Sequence, residues 1–215
     1  MKNLLTTLLV LISISTFSQS VDTVIDKGIY KSYFSKLTKT PLYVTYKLYQ
    51  SGAIILWDDE FKFKNDIPSL KTAESIDYKG SGYEKVQLAD AEDFSSDSSK
   101  EEITFRFYNC VPQTPNLNRN HWKKLEGWIR EYQFDNTDSV FVICGVISSS
   151  KSKKMGKDSV YIPDYCWKVV KSLSTGEVIR CMLFDNITYA HGEEITIEEL
   201  KSRIPYKIDL HSLLN

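Results

Sequence analysis

Apolar and polar residues alternate over residues 42–49, which predicts a β-strand. Ser51-Gly52 can turn the chain, and residues 53–57 would return as the second arm of a hairpin. Residues 103–108, 140–147, 166–170 and 178–184 read as further strands, the last two joined through Ser174-Thr175-Gly176-Glu177. Between them the period changes. Trp122, Leu125, Ile129 and Tyr132 recur at spacings of three and four, which predicts a helix after a loop over residues 112–120. Gly127 within it costs about 1 kcal/mol relative to alanine. A last helix starts at Thr196, because Thr196 and Glu199 have the spacing of a capping box. Leu200 and Ile204 then face the core, and Pro205 ends the helix. Residues 58–77 and 95–102 are charged or polar and read as surface loops. Strands, a central helix, more strands and a final helix make an α+β order, not alternating βαβ units.

The first residues are read apart from the fold. Met1-Lys2 is a short basic start, residues 4–14 are almost entirely apolar, and Thr16 and Ser18 are small residues ahead of Gln19. This is the pattern of a secretory signal cleaved after Ser18. The competing reading is a membrane anchor, which needs about 20 apolar residues; this run is shorter and is interrupted by Thr6 and Thr7. No cysteine lies near the cut to carry a lipid, and no later stretch is long and apolar enough to span a bilayer. Residues 1–18 are thus expected to be a leader and 19–215 one domain, exported to a periplasm or outside the cell.

Composition agrees with a globular domain: 42% of the 215 residues are hydrophobic and 26% charged. Charge changes the picture more. Removing the leader takes Lys2 and no acid, so 27 basic and 28 acidic residues become 26 and 28, a net −2. The basic surplus with which most nucleic-acid-binding domains neutralise phosphate is absent. Cys110, Cys144, Cys166 and Cys181 allow two disulfides with three pairings, or four buried thiols. Each sits in an apolar stretch where a free cysteine packs as a small hydrophobe, and buried thiols are the preferred reading. Neither a CxxC pair nor the Cys/His spacing of a zinc site occurs.

The candidate chemistry lies mid-chain. The run Asp77-Tyr78-Lys79-Gly80-Ser81-Gly82-Tyr83-Glu84-Lys85-Val86-Gln87-Leu88-Ala89-Asp90-Ala91-Glu92-Asp93-Phe94 resembles the pattern D-Y-x-G-S-G-Y-D-R-G-H-L-A-P-A-A-D-F. A second block, from Asn109-Cys110-Val111-Pro112-Gln113 through Leu117-Asn118 to Trp122 and Leu125-Glu126, resembles N-x-x-P-Q-x-x-x-L-N-x-G-x-W-x-x-L-E. Val142-Ile143-Cys144-Gly145 and Pro163-Asp164-Tyr165-Cys166-Trp167-Lys168-Val169-Val170 match two further strands of the same pattern. Together these identify a resemblance to the DNA/RNA non-specific endonuclease family over nearly the whole mature chain.

The resemblance implies a ββα-metal nuclease fold, with a central, mostly antiparallel sheet flanked by helices. It also implies a single Mg²⁺ held by an asparagine at the head of the helix, a histidine that takes a proton from water, and nucleic acid as substrate. Asn118 falls on the metal-binding position, Glu126 on the helix glutamate that holds metal-bound water, Arg130 on an arginine four residues later, and Lys85 on a substrate-binding arginine. On a continuous α-helix Glu126 and Arg130 would be neighbours, with Asn118 about 80° round from Glu126. Asn118 also suits a helix cap, and Glu126 with Arg130 an ordinary i,i+4 ion pair.

Gln87 stands where the family has its histidine. A glutamine amide hydrogen-bonds water but has no nitrogen that accepts a proton near neutral pH. Lys85 lacks arginine's bidentate fork, Val86 replaces a glycine, and Asp58-Asp59-Glu60 is acidic where the family commonly carries an arginine. His121 and His191 match no catalytic position. Three functions are therefore carried forward: a catalytically impaired family member, an exported nuclease using another base, and a non-catalytic nucleic-acid- or protein-binding module.

Overall fold

The computed structural model describes residues 19–49 and 61–215. The expected leader, the second arm of the first hairpin and the acidic run at 58–60 lie outside the described residues. Among the described residues, eleven strands and five α-helices follow one another as β1 (Thr23–Asp26), β2 (Tyr30–Ser35), β3 (Thr40–Leu48), α1 (Ser75–Tyr78), β4 (Glu84–Gln87), α2 (Ser98–Thr104), β5 (Cys110–Gln113), α3 (Lys123–Asn136), β6 (Val140–Ile147), β7 (Lys154–Met155), β8 (Val160–Tyr161), β9 (Tyr165–Ser172), β10 (Val178–Asp185), β11 (Gly192–Glu194), α4 (Ile197–Arg203) and α5 (Leu210–Leu214).

Seven strands form one antiparallel sheet in the order β1-β2-β3-β6-β9-β10-β11. Chain order and sheet order agree; the chain leaves the sheet between β3 and β6 to build β4, β5 and α3, and between β6 and β9 to form the β7-β8 hairpin. The first edge of β3 is paired to β2 and the second to β6, so its neighbours come from residues 30–35 and 140–147.

Alternation along the central strands feeds two cores. Val44 and Tyr46 of β3 and Val140, Val142, Cys144 and Val146 of β6 face Leu117, Trp122, Leu125 and Ile129. Leu42, at the bulge between β2 and β3, and Tyr43, with Ile143 and Ile147, face the other way, toward Leu200 and Leu210 of the C-terminal helices and Tyr206 between them. Helices therefore cover both faces of a mostly antiparallel sheet. The Thr196–Glu199 capping box forms as read, with both reciprocal bonds in place. All four cysteines are buried, free thiols.

Three expectations are corrected. Residues 103–108 form no strand: α2 runs to Thr104 and a 3-10 turn occupies Phe107–Asn109. The polar stretch before it is helical because Asp97 caps it, accepting from the amides of Ser99 and Lys100. The chain then turns at the buried Asn109, whose Nδ2 donates to Thr104 O and Ala89 O, both at 2.9 Å. Likewise the expected loop at 112–120 begins as the end of β5 and becomes, from Leu117, a wide π-type turn that runs into α3.

Candidate functional site

β4 and β5 pair with Glu84 opposite Gln113 and Gln87 opposite Cys110. Successive side chains of a strand point to opposite faces. Val86 joins the core under α3, and Glu84, on the same side, reaches the head of the helix. Lys85 and Gln87 turn the other way.

Asn118 Nδ2 donates to Glu84 Oε2 at 2.7 Å, and Arg119 Nε donates to Glu84 Oε1 at 2.8 Å. Partial burial pushes the Glu84 carboxyl up, but the bonds from Arg119 and Asn118 outweigh it and hold the group below its ordinary range. Asn118 lies within the π-type turn, Leu117–Trp122. Such a turn adds a residue to the helical repeat and re-aims the side chains around it, so the plain α-helical angle between Asn118 and Glu126 does not apply.

Gln87 Nε2 donates to Thr104 Oγ1 at 2.9 Å, and that hydroxyl donates to Glu101 O at 2.7 Å. Lys85 is exposed, its ammonium 5.2 Å from the centre of the Phe63 ring.

Glu126 is buried under α3, where Lys168 Nζ donates to its Oε1 at 3.1 Å. Lys168 shares a face of β9 with Cys166 and Val170, so alternation sends its ammonium into the core, fully buried and 4.3 Å from the Trp122 ring. Arg130 clamps the acidic loop after β4. It donates to Asp90 Oδ2 at 2.6 Å, Glu92 Oε2 at 2.8 Å and Asp93 Oδ1 at 2.9 Å. Tyr46 OH completes the set on Asp93 at 3.0 Å.

Three carboxyl groups, Asp90, Asp93 and Glu126, thus crowd two cations. Burial first, then the charge on Asp90, pushes Asp93 up to about 6 and Glu126 up to about 8. Glu126 therefore gives up its proton far less readily than an ordinary glutamate. Burial disfavours charge on Lys168, but the acidic groups around it, Glu126 first and then Cys144, Asp93 and Asp90, together outweigh it and hold the ammonium above its ordinary range.

The site residues read from the sequence fall into separate groups: Asn118 with Glu84 and Arg119, Gln87 with Thr104, and Glu126 and Arg130 with Lys168 and the acidic loop. No hydrogen bond or ion pair among the described residues joins one group to another. His121 lies beside Phe184, with ring centres 6.3 Å apart, and His191 sits where its backbone amide donates to Asp185. Among the described residues, neither forms a hydrogen bond or ion pair with the side chain of Gln87 or Asn118. Sequence reading missed Glu84, Thr104 and Lys168 as partners. Lys168 carried a signal, a charge at a core-facing position of an alternating strand, and Glu84 stood at the acidic letter of the resembling run; Thr104 carried none.

A divalent cation fits the helix entry on donor chemistry. Asn118 spends its amide nitrogen on Glu84, and among the described residues its Oδ1 accepts no hydrogen bond. That oxygen beside one carboxylate suits a hard, water-rich ion such as Mg²⁺, which takes one or two protein carboxylates and keeps several waters. No group of three His, Cys, Asp or Glu side chains that could hold a metal occurs among the described residues.

The model of the DNA/RNA non-specific endonuclease family matches residues 11–200. The chain belongs to that family. A nuclease of Nostoc sp. is 33% identical over 119 residues, covering 54% of this chain and 42% of the relative. Human mitochondrial endonuclease G is 28% identical over 121 residues, covering 52% and 40%. Mitochondrial nuclease 1 of Schizosaccharomyces pombe is 28% identical over 166 residues, covering 69% and 51%. The matched part of this chain thus spans about half or less of each curated relative. Among solved structures, a crystal structure of the EndoG/EndoGI complex superposes with a TM-score of 0.72 at 19% identity, covering 84% of this family member and 82% of that chain. This likeness concerns the fold.

Proposed function

We propose that the mature chain is an exported, nucleic-acid-binding member of the endonuclease family in which phosphodiester hydrolysis is impaired. One observation carries the reading. Gln87 occupies the family's histidine position, and its amide is engaged with Thr104. It can orient a water but cannot take its proton.

Asn118 and Glu84 would hold a divalent cation, with Mg²⁺ the family's ion. Bound there, the ion would stabilise negative charge on a phosphate. Lys85, exposed on the strand that carries Gln87, supplies a point charge for a backbone phosphate. In this reading Arg130 and Glu126 are positioning residues: Arg130 holds the acidic loop against α3, and Glu126 ties α3 to the sheet through Lys168.

Incubation of the purified mature protein with plasmid and RNA in Mg²⁺, beside Gln87→His, tests the proposal. The wild type is expected to leave both substrates intact, and Gln87→His to raise cleavage by about two to four powers of ten. Robust wild-type cleavage that stops on chelation would overturn the impaired reading.

A further inference from the structure

A second basic region lies beside the one on β4. Residues 77–83 and the β7-β8 hairpin enclose an open cleft of about 630 Å³ whose lining includes Lys79, Ser81, Tyr83, Lys153, Lys154 and Asp77. Its floor is a small apolar cluster that contains Tyr78, Cys110, Met155 and Ile162, with Phe63 and Tyr83 packed against it. Lys85 stands over Phe63 of this same cluster. The cleft is therefore continuous with the strand that carries Gln87.

The charge balance of this cleft departs from that of the whole chain. Glu74 at its rim is paired with Lys157 at 3.1 Å, and Asp158 with Lys39 at 3.7 Å. Asp77, the one carboxylate in the lining, is buried and accepts from the amides of Glu74 at 2.9 Å and Asp158 at 3.0 Å. Lys79, Lys153 and Lys154 are exposed and have no carboxylate partner among the described residues. Lys154 is held with its ammonium 4.4 Å from the centre of the Tyr161 ring. The local balance is three unpaired cations against one satisfied carboxylate.

The cleft walls are fixed by close packing. Gly156 has a φ of 66°, and a side chain there would collide with Asp77, so the β7-β8 turn is seated directly on α1. Across from it, nothing lies within 4 Å of where Cβ atoms would stand on Gly80 and Gly82, which leaves that wall open to a polymer backbone.

We propose that this cleft is a phosphate-backbone subsite for nucleic acid, extending the track that begins at Lys85. The proposal rests on the nucleic-acid-binding reading above and adds Lys79, Lys153 and Lys154 to it. Lysine point charges beside an aromatic side chain, with an open glycine wall, suit a phosphodiester chain. An acidic peptide is the alternative ligand.

The test is fluorescence anisotropy of a labelled oligonucleotide, in EDTA so that no hydrolysis intervenes, at several salt concentrations. The double variant Lys153→Glu/Lys154→Glu is expected to bind at least about tenfold more weakly, with a salt slope shallower by roughly 0.7–0.9 per lost phosphate contact. Lys153→Arg/Lys154→Arg should retain binding. Lys36→Glu/Lys207→Glu, which changes net charge equally at exposed positions away from the cleft lining, should bind like the wild type. Circular dichroism melting checks that each variant is folded.

The cleft assignment is overturned if the two glutamate pairs weaken binding equally, if neither does, or if polyglutamate competes as well as the oligonucleotide. Cleavage by Gln87→His separates the two proposals. Restored cleavage with unaltered binding by the lysine variant sinks the cleft and keeps the family reading. Lost binding by the lysine variant with an inert Gln87→His keeps the cleft and sinks the expected rescue.

Discussion

The raised pKa of Glu126 makes the core sensitive to pH. An acid whose folded pKa is raised binds more protons folded than unfolded across the interval between the two values. Its contribution is fully present below about 4.5, the ordinary glutamate value, and is lost as pH rises through about 8. Asp93, raised to about 6, acts in the same sense over a lower window. The groups facing Glu126 are Lys168, Asp90, Asp93, Cys144 and Tyr46. Glu126→Gln removes one titration and keeps a hydrogen-bonding side chain of similar size. Its melting temperature is expected to improve relative to wild type between pH 5 and pH 8.5. An offset that stays constant with pH would show that Glu126 does not titrate in this window. At the residue scale the sequence named Glu126 and Arg130 by family position, but it did not reveal what they touch. Lys168 and Asp90 approach them across the fold, from β9 and from the loop after β4, and neither partnership follows from helical spacing.

At the scale of elements, the strands that alternate cleanly were legible almost to the residue. The expected strand at 140–147 is β6, and the expected strand at 178–184 ends one residue short of β10. The expected strand at 103–108 was not, because a run such as Ile103-Thr104-Phe105 has strand composition while the Asp97 cap and the Asn109 side chain impose helix and turn. The π-type turn had no signature in periodicity, since Trp122 at its end keeps ordinary spacing to Leu125 and Ile129 in α3. Gly145 was visible as a family letter, and the sheet supplies its reason. A Cβ there would stand 2.5 Å from Leu42 O and 2.6 Å from Trp167 Cζ2. Gly145→Ala is therefore expected to cost about 1–3 kcal/mol, read as a lowered urea midpoint with an unchanged slope. An unchanged midpoint would mean that the β3 backbone at Leu42, as well as the Trp167 ring, moves aside at little cost.

At the scale of the molecule, stability rests on two packed faces and not on cross-links. Four free thiols lie in the interior, and burial raises Cys110, Cys144, Cys166 and Cys181 to about 12. They are expected to resist a thiol reagent in the native state and to react fourfold on denaturation, with the melting temperature indifferent to reductant. A thiol count below four in denaturant, restored by reduction, would reveal a disulfide. The last strand of the sheet also bears on how molecules meet. β11 has three exposed residues, and its Glu193 and Glu194 are tied to Arg203 and Arg180. A sheet edge this short, fenced by ion pairs, offers a second copy few backbone groups to bond and a row of charges to displace. That edge discourages strand-to-strand association when the protein is concentrated.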